Sequence, residues 1–88
     1  MRPKYLFNKG LIIQKSKGKL IIFNGKNTTI YSLNDTAAYI LLKIRAKLEK
    51  QAIANLVVRK YKIDQKTAFN DVSDFINELL KNKIISIS

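Results

Sequence analysis

Thr28-Thr29-Ile30-Tyr31-Ser32-Leu33-Asn34-Asp35-Thr36-Ala37-Ala38-Tyr39-Ile40-Leu41 is the stretch in which the chain changes its period. Up to Leu33 the residues are β-branched or aromatic and alternate. Thr29, Tyr31 and Leu33 fall on one face, Ile30 and Ser32 on the other, which is the pattern of a strand. Beyond Asn34 the apolar residues recur at helical spacing. Ala37, Leu41, Ile44 and Leu48 form a stripe that Ala38, Ile40 and Leu42 widen. Asn34 stands at the junction as an N-cap, with its side chain placed to accept from the amide of Thr36 or Ala37. Asp35 suits the first turn, where the helix dipole favours an acid.

Reading outward toward the N-terminus, Leu11-Ile12-Ile13-Gln14-Lys15 and Leu20-Ile21-Ile22-Phe23 flank Ser16-Lys17-Gly18, which can supply a tight turn. Asn24-Gly25 then gives a strong hairpin signal, because both residues tolerate positive φ. Three antiparallel strands follow, and so small a sheet must bury one face on something else. Toward the C-terminus, a second helix from Glu49 or Lys50 to Tyr61 carries Ile53, Leu56, Val57 and Tyr61. A third begins after Asp64, an N-cap, and carries Ala68, Val72, Phe75, Ile76 and Leu79. It is expected to end near Asn82 with that residue in the left-handed conformation. Ile84-Ile85-Ser86-Ile87 has the composition of a short terminal strand. The predicted order is βββααα with this optional strand, helices on one face of the sheet, in a single α+β domain over residues 1–88.

Composition narrows the chemistry. The 88 residues include no cysteine and no histidine, which excludes disulfides, thiolate zinc sites, a catalytic thiol and the commonest general base. The three glycines, Gly10, Gly18 and Gly25, are scattered and form no phosphate-cradling loop. Asp35 and Asp64 belong to helix starts. Asp71, Asp74 and Glu78 share one helix face, which is more simply a solvated row than a cation site. No catalytic, cofactor or metal site is therefore expected. Met1-Arg2-Pro3-Lys4-Tyr5 lacks the pattern of a signal peptide, and no apolar run approaches the roughly 20 residues that span a bilayer. A cytoplasmic location is the expectation. The net charge is +11, with seven basic and no acidic residues in 1–34 and ten basic against six acidic in 35–88. A basic half predicts an anionic partner.

The segment Tyr31–Leu41, a strand ending in Leu-Asn, then one variable residue, Thr-Ala and an apolar helix, resembles the signature of the PqqD-like family. Asp71-Val72, Phe75-Ile76 and Leu79 resemble that family's third helix, and Lys83-Ile84-Ile85 its end; about residues 10–86 take part. Two positions depart from the pattern. Arg45-Ala46 and Glu49 stand where the family has Asp-Gly and a capping Thr, which suggests a longer first helix. Lys83 stands where it has Gly. The resemblance implies a winged-helix-like fold, a recognition element for the leader segment of a ribosomally made precursor peptide. Such a domain presents the leader to a maturation enzyme such as a radical-SAM enzyme, a cyclase or a leader protease. The leader would add as a strand beside the third predicted strand and lie against the third helix.

On that reading the peptide-binding residues are Thr28, Thr29, Ile30, Tyr31 and Ser32 on the strand, a run free of proline and charge. On the helix, Phe69 and Ile76 are expected to floor a shallow groove with Lys66, Asn70, Ser73 and Asn77 as polar walls. Truncating Phe69 should then weaken leader binding with little loss of stability. The basic strand half predicts an acidic leader. Two rivals compete. One is a winged-helix DNA-binding protein, with Lys50, Gln51, Asn55, Arg59 and Lys60 of the second helix facing the groove. The third helix suits that role less, since Asp71, Asp74 and Glu78 accompany Lys66, Asn70 and Lys81. The other is a dimerisation module whose open strand pairs with a second copy.

Overall fold

A computed structural model of the chain describes residues 5–25 and 29–87. The order is β1 (Tyr5–Phe7), β2 (Leu11–Ser16), β3 (Lys19–Asn24), β4 (Thr29–Leu33), α1 (Asp35–Arg45), α2 (Lys50–Tyr61), α3 (Gln65–Lys81) and β5 (Ile85–Ile87). Strands β2, β3 and β4 form the expected antiparallel sheet in that order, and the three helices follow. The terminal strand is present as well. Its partner is β1, in register Tyr5↔Ile87 and Phe7↔Ile85. Sequence reasoning missed β1, since three residues are too few to show a period. The burial of Tyr5 fixes it in place and pushes its phenol pKa up.

Register assigns the faces of the larger sheet. Ile13, Ile22 and Tyr31 pair across the three strands, as do Lys15, Leu20 and Leu33. This is the helix side, where Ile22 and Leu33 join Ile40, Leu41 and Ile44 of α1 in the core. Ile53, Ala54 and Val57 of α2 and Ala68, Val72, Ile76 and Leu79 of α3 complete it, with Ile84 and Ile85 from the end of the chain. Each large aliphatic buried in this way contributes about 1.5–3 kcal/mol, so a thin core depends on every member.

Helix ends follow their caps. Asn34 Oδ1 accepts from the Ala37 amide at 2.8 Å. The Asp64 carboxylate accepts from the Thr67 hydroxyl at 2.5 Å and from its amide at 3.2 Å; these bonds, the hydroxyl's first, hold the carboxyl below its ordinary pKa. Three expectations need correction. Helix α1 does not run long. It stops at Arg45, because Lys47 takes a left-handed φ of 69°, and Leu48 packs on the core from beyond the helix. Asn82 is not the left-handed residue after α3, since its φ is −88°. Its amide and side chain both donate to the Glu78 carbonyl, and the left-handed turn falls on Lys83, φ 59°. Asn24-Gly25 does not form the centre of a two-residue turn either. Asn24 pairs with Thr29 as the buried last residue of β3, so it lies within the strand and not at the centre of a turn.

Candidate functional site

Strand β4 pairs with β3 on one side only; its other edge meets no strand among the described residues. Side chains of helix α3 meet the helix-facing side of β4. Tyr31 and Leu33 of β4, Phe75, Glu78, Leu79 and Asn82 of α3, and Ile84 line a small cleft of about 30 Å³ between them. Two periods build it. Tyr31 and Leu33 are two apart and so share the helix-facing side of β4, while Phe75, Glu78, Leu79 and Asn82 recur at three- and four-residue steps on one flank of α3. An open row of backbone amides and carbonyls can take an extended chain as an extra strand.

The predicted strand residues lie in this setting in different ways. Tyr31 lines the cleft. Ile30 and Ser32 belong to the outer face of the sheet and are exposed. Thr29 begins β4, and Thr28 lies outside the described residues. The predicted helical row is placed apart from this cleft. Ile76 is only 1 % exposed and belongs to the core. Phe69 is half-buried on the flank toward α2, where the Lys50 ammonium lies 5.7 Å from its ring centroid. The Ser73 hydroxyl is shielded from solvent, and Lys66, Asn70 and Asn77 are exposed. None of the six lines the cleft. At 100° per residue, a shift of one position carries a side chain to another flank, so Phe75 looks toward β4 while Phe69 and Ile76 do not. The cleft residues missed from sequence are Leu33, Phe75, Glu78, Leu79, Asn82 and Ile84. Their apolar members were legible as buried, but their proximity to β4 was not.

Charge is divided over the surface. Glu78 stands at the cleft, and Asp74 and Asp71, four and seven residues earlier, continue its side of the helix, all exposed. Among the described residues no three acids gather as a metal site. Of the five α2 side chains that a DNA reading requires, Arg59 is exposed, and the other four make contacts within the domain while Gln51, Asn55 and Lys60 stay at its surface. Lys50 covers Phe69, Gln51 and Gln65 both donate to Asn55 Oδ1 (3.1 and 2.8 Å), and Lys60 lies over Tyr39 and Tyr61.

A three-stranded antiparallel sheet followed by three helices, with one edge of its last strand open among the described residues, defines a winged-helix-like α+β fold. The chain belongs to the PqqD family: the family model described as coenzyme PQQ synthesis protein D matches residues 19–85. Two solved structures share the fold. One is described as lasso peptide synthetase B1 complexed with the leader peptide, with a TM-score of 0.89 at 17% identity, covering 94% of this chain and 98% of that one. The other is TbiB1 in complex with the TbiA(beta) leader peptide, with a TM-score of 0.83 at 14% identity, covering 98% and 95%. No curated protein matches the chain. No helix among the described residues is long and apolar enough to cross a membrane.

Proposed function

We propose that residues 1–88 act as one recognition domain that binds the leader segment of a ribosomally made precursor peptide and presents it to a maturation enzyme. The open edge of β4 beside an apolar cleft carries this reading. The leader adds as a fourth strand along β4, and its alternate side chains meet Tyr31, Leu33 and Phe75. The PqqD family assignment and two neighbours of the same fold whose structures hold leader peptides support it. The domain is a binding partner rather than a catalyst. The chemistry belongs to the enzyme it serves, in the class of radical-SAM enzymes, cyclases or leader proteases. It works in the cytoplasm, where precursor peptides are made. An acidic leader finds little complement in the cleft itself, because Glu78, Asp74 and Asp71 give its helical wall the same sign.

The test is a titration of the domain into a fluorescent leader peptide from a neighbouring precursor gene, with random duplex DNA as control. Successive amides of a strand point to opposite edges. Of Ile30→Pro and Tyr31→Pro, one therefore removes an amide bonded to β3 and the other an amide on the open edge. The expected result is leader binding that the open-edge proline abolishes while the melting curve stays close to that of the parent. Binding that survives both prolines in folded protein, or binding of DNA and not peptide, overturns the reading.

A further inference from the structure

A second concave surface lies between the β2–β3 turn and helices α1 and α2. It encloses about 470 Å³ and is lined chiefly by Lys15 and Leu20 of the hairpin, Tyr39 and Leu42 of α1, and Lys60 and Tyr61 of α2. It shares no lining residue with the cleft beside β4. Its wall is an ordered array of rings and ammonium groups. Tyr39 and Tyr61 meet edge to face with centroids 6.0 Å apart. Lys60 lies 5.0 Å from the Tyr39 centroid and 5.7 Å from that of Tyr61, and Lys43 is 5.1 Å from the Tyr39 centroid. Cation–π contacts of this kind restrain flexible lysines, so part of the entropy of ordering them is met before any ligand arrives. Leu42, 49 % exposed, and the half-buried Leu20 supply an apolar floor. Asp35 is the single acid in the lining.

We propose that this basin is a docking site for an acidic segment of a partner protein that also brings an aliphatic side chain. Charge complementarity commits it to that occupant. Lys15 and Lys60 line the basin against the one acid Asp35, and Lys17 and Lys19 flank Gly18 at its rim. Carboxylates would meet Lys15 and Lys60 while an aliphatic side chain covers Leu20 and Leu42. A nucleic-acid backbone offers the negative charge but leaves that floor uncovered. Because the lining sets are disjoint, the basin can be filled while β4 holds a peptide. The proposal does not depend on what the cleft binds, so a leader that fails to bind leaves it standing.

The probe is a short polyglutamate peptide interrupted by one leucine, titrated into the full chain and followed by amide chemical shifts. The same peptide with glutamine for glutamate, and random duplex DNA, serve as controls. Shifts should centre on Lys15, Leu20, Tyr39, Leu42, Lys60 and Tyr61 and spare β4 and the Phe75 flank of α3. The glutamine peptide should not bind. The pair Lys15→Glu with Lys60→Glu should weaken binding about tenfold or more, whereas Lys9→Glu with Lys81→Glu should change it by about twofold or less. Equal losses in the two pairs would mean diffuse charge attraction and overturn the proposal. Shifts on the cleft, or tighter binding of DNA at the same residues, would overturn it too. The shift pattern of the unaltered chain decides the matter even where a variant fails to fold.

Discussion

Helix α3 has two apolar flanks that resemble each other in composition and differ in what they touch. On one, Ile76 is sealed in the core and Phe69 packs toward α2 under the Lys50 ammonium. On the other, half-buried Phe75 faces the open strand β4 with Glu78 and Asn82 beside it. The first flank holds the domain together. The second leaves part of an aromatic ring available at an edge that can still form hydrogen bonds. A side chain that is half-buried because its neighbours stop short of it is a better binding candidate than one half-buried beneath a lysine stem.

The largest effect that separates the flanks is expected from Ile76→Ala. Truncating a sealed isoleucine leaves a cavity and costs about 2–5 kcal/mol, a large share of the total in a domain this small. Thermal melting by circular dichroism should fall by about 10 °C or more. A loss below about 1 kcal/mol accompanied by weakened leader binding would return Ile76 to the groove and dissolve the distinction.

Phe75→Ala against Phe69→Ala tests the two rings directly. Phe75→Ala should raise the leader Kd about tenfold or more, as loss of an aromatic anchor at an interface does, with a moderate loss of stability. Phe69→Ala should lower the melting temperature and leave Kd within about twofold for the fraction that remains folded. The opposite split would restore the flank that the sequence first suggested. Isothermal titration calorimetry beside melting curves reads both quantities on the same samples.

Most of the architecture was legible in the chain because it rests on local rules. Alternation to Leu33, Asn34 and Asp64 as caps, and the 3.6-residue stripes gave the three strands, the three helices and nearly all of the core. What escaped has tertiary causes. Strand β1 exists because Tyr5 is buried and Ile85–Ile87 pairs with it from the far end of the chain, and no local pattern encodes that. The site was half legible. Edge strand β4 followed from the order of the strands. The flank of α3 that meets it depends on how the helix is rotated in the packed domain, and Phe69, Phe75 and Ile76 are equally apolar in sequence. The basin was illegible for the same reason: Lys15, Tyr39 and Lys60 come together only after folding.

The smallest expected effect concerns the turn that aims Ile84 at the cleft. Lys83 holds φ at 59°, a conformation in which a side chain costs about 1–2 kcal/mol and glycine almost none. Lys83→Gly relieves that strain but gives the unfolded chain more freedom, which takes back about 0.5–1 kcal/mol. A net gain of about 0.5 kcal/mol should remain, visible as a rise of a few degrees in melting temperature. The exposed side chain lines neither cleft nor basin, and the Lys83 carbonyl, which accepts from the Asn8 side chain, survives the change. Leader affinity should therefore stay constant. Should stability rise while affinity falls, the Lys83 ammonium would be a contact of the leader at the C-terminal end of α3. The binding flank would then extend past Asn82 and add a positive charge to a wall that now reads as acidic.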